Sequence, residues 1–467
     1  MTHHTFSDIL NSVIESGVQS KNSIILNSNI DRSTFFQILN GKRLPTEKQY
    51  VKLLSAISPD DKLIKELDST YLSEKYGATF IDTYQFIMRI FSILKQHSFP
   101  PEYPTAVFTH KTDDRPPLES GVALNSSEAI SACIKHILLD EVENNAASEK
   151  ATYIDIFAPT QALSDLGLYE MIKIIDINDK NNIAFRHLAS FWNWNITRSH
   201  EAYIGFANFL SLVTSIGLNY DIYSFDSKGS DFLSGTILPY YIIFSNGILF
   251  FNQTYSCGFY TANENLLDFF KTEFNKIIAS LTPMIVSAEK INNLIPLLLN
   301  LPDKTKTWNI ANKPGIVFLI NDYFLKTYIK DAELHEKYKL RGDAFQHTDH
   351  KEFLSESGLL ETAKNRDVTE IDLHMHVSDD DLKKISSIFA DRLDKDLFMV
   401  NTDKLPISEN WSVYVVEDTL LLMMPLSKGK KAIYVTEKTI VKAFTDFCNV
   451  LEKGFLLKDS GNIKDEL

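Results

Sequence analysis

Arg32, Ser33, Thr34 and Gln37 stand close together in the run NSNIDRSTFFQILNGKRLP, and each is a residue type that can hydrogen-bond to the edge of a nucleobase. Arginine forks onto the two acceptors of guanine, glutamine pairs in the same way with adenine, and serine or threonine donates or accepts at either. Asn40 ends the same segment, and Lys42 and Arg43 come directly after Gly41. Two cations in a loop at that place suit backbone phosphates, which supply affinity and register but no sequence information. With Lys21 upstream, the set that could do this chemistry is Lys21, Arg32, Ser33, Thr34, Gln37, Asn40, Lys42 and Arg43.

Catalytic chemistry finds less support. Asp372-Leu373-His374-Met375-His376 resembles the D-x-H-x-H that opens metal-dependent amidohydrolase barrels, and imidazoles two apart on a strand face the same side. Such a barrel needs further histidine ligands on later strands, and no histidine follows His376. His335 and Lys337 followed by Asp343 come near the H-x-K-x4-D of phospholipase-D-type enzymes, with the aspartate one residue late. No G-x-S-x-G, P-loop, G-x-G-x-x-G or H-E-x-x-H is present, so no assembled active site, cofactor or metal is expected.

The elements that must position the base-reading set are short. Asn27 to Asn29 break an apolar helix containing Ile24, Ile25 and Leu26, and Asp31 is placed to cap the next helix through Phe35, Ile38 and Leu39. Asn29 falls where the turn between them wants a left-handed residue. Pro45 and Thr46 then start a helix whose Tyr50, Leu53, Leu54 and Ile57 form a stripe. Two short helices joined by such a turn can lay the second in a major groove. The pattern of cap, polar read-out helix, Asn-Gly-Lys loop and proline resembles the Cro and lambda-repressor (XRE-like) type of helix-turn-helix, over roughly the first 60 residues. That resemblance implies a phosphate contact at Lys21, base readers at Arg32, Ser33 and Gln37, and backbone clamps at Lys42 and Arg43. Ile25 and Phe36 differ from the family, which usually has a small residue and a polar one there.

Charge is distributed unevenly. The chain has 467 residues and a net charge of −14, yet residues 20 to 65 hold eight cations against four anions, a local +4. A basic patch on an acidic body confines phosphate attraction to one face. The length fits about three domains at roughly 150 residues each, and 44% hydrophobic and 12% aromatic content describe an ordinary globular protein. No stretch reaches the roughly 18 apolar residues of a membrane span. The three cysteines, Cys133, Cys257 and Cys448, are far apart and suit neither a disulfide framework nor a zinc knuckle. The N-terminus lacks a secretory signal, so the terminal Lys464-Asp465-Glu466-Leu467 is read as a coincidental match to a lumenal retrieval signal, and a cytoplasmic location is expected.

The whole pattern predicts a multidomain α plus α/β protein: an all-α helix-turn-helix domain over 1–70, a connecting helix and Pro-rich linker over 71–117, and two related α/β lobes over 118–300 and 301–467. The connecting helix carries Phe80, Tyr84, Ile87, Phe91 and Leu94 on one face and Ile81, Met88 and Ile90 on another, which demands burial on two sides. Pro100, Pro101, Pro104, Pro116 and Pro117 mark the linker. Helices are expected at 127–139, 162–174 and 199–215 between strands at 152–158, 182–186 and 219–224, giving a partly parallel sheet. Asn246-Gly247 and Glu417-Asp418 mark hairpins, and both lobes continue as hairpin, strand, helix with matching residues 174 apart, such as Tyr260 and Tyr434. Upstream, TEIDLHMHVSDDDLKKISSIF echoes TYIDIFAPTQALSDLGLYEMI.

Arg186, His187, Trp192, Trp194, Arg198 and His200 fall at a strand-to-helix edge and form a candidate effector pocket for a small anionic or peptide ligand. The expected function is a DNA-binding transcriptional regulator acting on an operator as a homodimer, with the lobes sensing an effector or dimerising. The alternative is an enzyme, or an interaction scaffold, whose helix-turn-helix only localises or autoregulates it.

Overall fold

The computed structural model describes residues 5–17, 19–96, 120–145, 152–168, 171, 183–190, 199–215, 220–224, 237–281, 283–287, 301–315, 322–346, 348–369, 374–426, 431–458, 460–461 and 463–467. The expected proline strap and residues 191–198 lie outside this set. Contacts divide the chain into two units, one of Met1–Ser92, Asn292–Leu421 and Val441–Leu467 and the other of Ile93–Ile291 and Leu422–Ile440.

Six helices open the first unit: α1 (Phe6–Ser16), α2 (Lys21–Ser28), α3 (Arg32–Leu39), α4 (Glu47–Ile57), α5 (Asp61–Tyr76) and α6 (Ala78–Gln96). Side-chain caps at Thr5, Ser20, Asp31, Thr46 and Asp60 satisfy amides of the first turns of α1 to α5. The connecting helix expected within 71–117 begins only at Ala78, separated from α5 by Gly77, whose φ of +91° an L side chain rarely adopts. Phe6, Tyr50 and Tyr71 make the aromatic centre of the bundle, with Tyr50 and Tyr71 stacked at 4.1 Å.

The second unit holds a seven-stranded sheet. Its strands are β1 (Val122–Leu124), β2 (Thr152–Pro159), β3 (Ile183–Ser190), β4 (Tyr220–Ser224), β5 (Tyr240–Ile243), β6 (Ile248–Phe251) and β7 (Gly258–Thr261), in the order β1-β7-β6-β5-β2-β3-β4. The helices α7 (Ser127–Asn145), α8 (Thr160–Asp165), α9 (Ser199–Ser215) and α10 (Glu264–Ala279) alternate with them. β2, β3 and β4 are parallel, and β5 joins β2 antiparallel, so the expected partly parallel sheet is present. Asn246-Gly247 does turn the β5–β6 hairpin, closed by Phe244 donating to Gly247 at 2.8 Å. A side chain at position 247 would collide with the Tyr260 ring. β8 (Ile285–Ser287) pairs antiparallel with β16 (Lys431–Val435).

The chain then returns to the first unit through β9 (Lys306–Ala311), α11 (Asp322–Tyr328), α12 (Ala332–Gln346), β10 (Asp349–Leu354), α13 (Glu356–Lys364), β11 (Asp367–Thr369), β12 (His374–His376), α14 (Asp379–Arg392), β13 (Leu397–Met399) and β14 (Trp411–Val416). The turn Glu417-Asp418 leads to β15 (Leu420–Pro425), and α15 (Lys438–Glu452) and α16 (Ile463–Glu466) close the fold. β13, β10 and β9 are parallel and β14 joins β9 antiparallel, which repeats the order β4-β3-β2-β5. Leu354, Leu359, Ile385, Phe389 and Leu397 fill the core between these strands and α13 and α14.

One expected correspondence is corrected. The strand of TEIDLHMH, β12, pairs with β11 in a separate two-stranded sheet, and the strand in the position of β2 is β9. Both segments read as a strand before a helix, and only pairing distinguishes them. One expected face of α6 finds partners, Phe91 meeting Phe447 of α15 at 6.5 Å and Tyr84 meeting Phe455 at 5.8 Å, and Phe86, outside both expected faces, meets Phe444 of α15 at 6.1 Å.

Candidate nucleic-acid interface

The turn between α2 and α3 is built as its residues require. Asn29 takes the left-handed conformation (φ 50°, ψ 39°), and the Asp31 carboxylate accepts from the Thr34 amide at 2.8 Å to start α3. Hydrogen bonding from Thr34 holds the Asp31 carboxyl below its ordinary range, with Arg43 adding a smaller pull. Phe35, Ile38 and Leu39 face inward, while Arg32, Ser33 and Gln37 are exposed and Thr34 is half-buried. The Arg32 guanidinium lies 5.7 Å from the centre of the half-buried Phe36 ring. That contact steadies the head of a long side chain at the start of the helix.

The loop after α3 is fixed as firmly. Lys42 donates to the Gln37 carbonyl at 2.9 Å and Gly41 to that of Ile38 at 3.0 Å, the paired bonds of a Schellman motif. Gly41 has φ +67°, and a Cβ there would come 2.9 Å from Ser7 Oγ of α1. Asn11 of α1 donates to the Leu39 carbonyl at 2.7 Å, so α1 braces the end of α3. Asn40, Lys42 and Arg43 are exposed just beyond, and Lys21 is exposed at the start of α2. The structure therefore brings the expected set to the surface of one pair of helices, with the residues between them buried. Asn11 and Ser7 were missed from sequence because a bracing contact between helices has no local signature.

Beneath the interface, Tyr50 of the supporting helix α4 donates to Asp68 at 2.5 Å, and burial raises the Asp68 carboxyl against the opposing pull of Lys404. Phe455, just past α15, lies 6.2 Å from Tyr50, 6.4 Å from Tyr71 and 5.8 Å from Tyr84. Next to it, Gly454 leaves only enough room for the stem of Lys48. The C-terminal segment is thus part of the core of the N-terminal helices.

The candidate effector residues are placed differently. Arg186 on β3 donates to both Asp155 carboxylate oxygens, at 2.6 and 2.7 Å, and to Asn275 of α10 at 2.8 Å. The C-terminal lobe ties its own helix in a similar way, with Trp308 and Lys351 reaching Glu452 of α15 at 2.6 and 3.0 Å. His187 is fully buried between the Tyr220 hydroxyl and the Ala158 carbonyl, and burial lowers it to about 4. Trp192, Trp194 and Arg198 lie outside the described residues, and of His200 only the backbone, in α9, is described. His335, Lys337 and Asp343 lie along the single helix α12. Among the described residues no group of three His, Cys, Asp or Glu could hold a metal, and no helix is long and apolar enough to cross a membrane.

No family model and no curated protein matches the chain. Among solved structures, TrmBL2, an archaeal chromatin protein whose report describes a novel mode of DNA binding, is similar at 11% identity and a TM-score of 0.22, covering 59% of this chain and 92% of that one. Polyphosphate kinase from Porphyromonas gingivalis is similar at 10% identity and a TM-score of 0.20, covering 68% of this chain and 48% of that one. At such TM-scores neither likeness bears on function.

Proposed function

We propose that the chain is a sequence-specific DNA-binding regulator of the Cro and lambda-repressor helix-turn-helix type, reading a duplex with α3 and holding its backbone with the loop after it. The observation that carries this reading is the α2–α3 pair: a left-handed Asn29, the Asp31 cap, and Arg32, Ser33 and Gln37 all exposed ahead of exposed Lys42 and Arg43. One recognition helix covers a half-site, so the working form is a homodimer on a two-fold operator. The two α/β lobes derive from one ancestral unit, a reading supported by their shared strand order and by the 174-residue offset of their last strand and helix. They serve dimerisation or the sensing of a small-molecule or peptide effector.

The test is selection of duplexes from a random pool by the full chain, followed by anisotropy titrations over a range of salt. A recurring two-fold sequence whose affinity falls steeply with salt is expected. Equal affinity for every duplex, or none, would remove the proposal.

A further inference from the structure

The loop after α3 ends at Pro45, whose carbonyl lies outside the hydrogen-bond ladder of α4: the first acceptor of that helix is the Thr46 carbonyl, used by the Tyr50 amide at 2.8 Å. Pro45 is buried, and a buried carbonyl needs a donor from the protein. Two donors come from one face of α5. Tyr71 donates to Pro45 at 3.2 Å and Lys75, four residues on, at 2.9 Å. Lys75 also donates to the Tyr71 hydroxyl at 3.0 Å and lies 3.2 Å from one carboxylate oxygen of Glu47, the first residue of α4. The other oxygen of Glu47 accepts from the Tyr76 hydroxyl. An ammonium has three donors, so those of Lys75 are all engaged within the protein. Its side chain is 23% exposed and that of Glu47 9%. Withdrawing a long cation from water costs solvation and rotamer freedom, and what this one holds in place is the end of a single loop.

We propose that Lys75 is a positioning residue for duplex binding: from α5, behind α3, it fixes the loop whose exposed Lys42 and Arg43 side chains hold the phosphate backbone. The loop is then anchored at both ends, at its start by the Gly41 and Lys42 amides on α3 and at its end by Lys75 on Pro45. A loop held in this way presents its two cations in one arrangement, so the cost of ordering them falls on folding and not on binding. Lys75 itself touches no DNA, because its donors point inward to Pro45, Tyr71 and Glu47. The inference rests on the regulator reading for what the loop binds, and on these hydrogen bonds alone for how the loop is held.

A double-mutant cycle in the full chain tests this, with the duplex recovered from the random pool as probe. Lys75→Met should weaken binding roughly tenfold, within the range of couplings between residues of one network. In the Lys42→Ala/Arg43→Ala background the same substitution should change affinity less than about twofold, because the groups it positions are gone. Tyr71→Phe removes one donor to Pro45 without changing charge and keeps the ring against Tyr50. It should weaken binding in the same direction, again only while Lys42 and Arg43 are present. Without DNA, hydrogen exchange should quicken in both variants at the Lys42 amide and at the Thr46 amide, which donates to Gln49 at 3.0 Å, with circular dichroism unchanged. An equal loss of affinity in both backgrounds would show that Lys75 acts by its charge or through the whole fold, and would overturn the inference, as would loop amides that exchange as in the unmodified protein. Loop amides that quicken in a chain whose unmodified form binds no duplex would sink the regulator reading and leave the Lys75 anchor standing.

Discussion

On the proposed DNA-binding reading, single side chains in the α3 segment divide into readers and holders, and their substitution should separate the two. Arg32→Ala and Gln37→Ala each remove a bidentate base contact and should cost about 1–3 kcal/mol of discrimination between the preferred site and a mismatched one. Lys42→Ala/Arg43→Ala should weaken preferred and random duplexes alike and flatten the salt dependence by about two counterions. Normal binding by the loop variant at every salt concentration would refute the docking described here. Two buried groups make stability depend on pH. Burial raises Glu352 to about 7, against the pull of Arg392, and its folded carboxyl therefore stays protonated above the ordinary carboxylate range. Its contribution to stability is full below about 4.5 and is lost as pH rises through about 7. His187, lowered to about 4, does the reverse: its contribution is full above 6.5 and is lost as pH falls towards 4. Glu352→Gln should accordingly gain stability relative to the unmodified protein between pH 5 and pH 8, read as the difference in urea midpoints. A constant difference across that range would show that Glu352 does not titrate there.

Among the elements, α3 was legible in the sequence at both ends because each end is written in a residue with a local job. Asn29 tolerates the left-handed turn, Asp31 caps, and Gly41 supplies the positive φ that closes the Schellman motif. The break between α5 and α6 at Gly77 was passed over, since one glycine in a long apolar pattern gives no direction. β12 was placed in the wrong sheet because alternation fixes that a strand exists and says nothing about its partner. Arg186 was read as a ligand contact because its partners, Asp155 and Asn275, are 31 and 89 residues away. The caps give a direct test. Asp31→Ala should lower stability by about 0.5–2 kcal/mol and fray the turn that carries Arg32 and Ser33. Gly41→Ala meets both an unfavourable φ and Ser7 Oγ, and should cost on the order of 1 kcal/mol or more. Ser7→Ala in the same chain should recover part of the Gly41→Ala loss if the collision contributes, and none of it if the backbone conformation alone is responsible.

For the whole molecule, the sequence reads as a reader domain followed by a strap and two lobes, and the contacts join the ends of the chain instead. The first unit takes the N-terminal helices together with the C-terminal segment, and Phe455 stands against Tyr50, Tyr71 and Tyr84. Phe455 is 1% exposed, so its ring is as much core to the bundle as Phe6. The same residue follows α15, whose Phe444 and Phe447 hold α6. A shift of α15 is therefore felt by the helices that support α3, and on the proposed reading this packed cluster would carry it to DNA affinity. Phe455→Ala should cost about 3–5 kcal/mol in the unfolding of this unit, the usual range for a buried phenylalanine. It should also weaken DNA binding although Phe455 lies beneath the reader, far in sequence from every proposed DNA contact. Phe269→Asp, on the exposed face of α10, should leave that unfolding step unchanged. If Phe455→Ala melted and bound DNA as the unmodified protein does, the N-terminal helices would be an independent domain and the lobes would need another route to the operator.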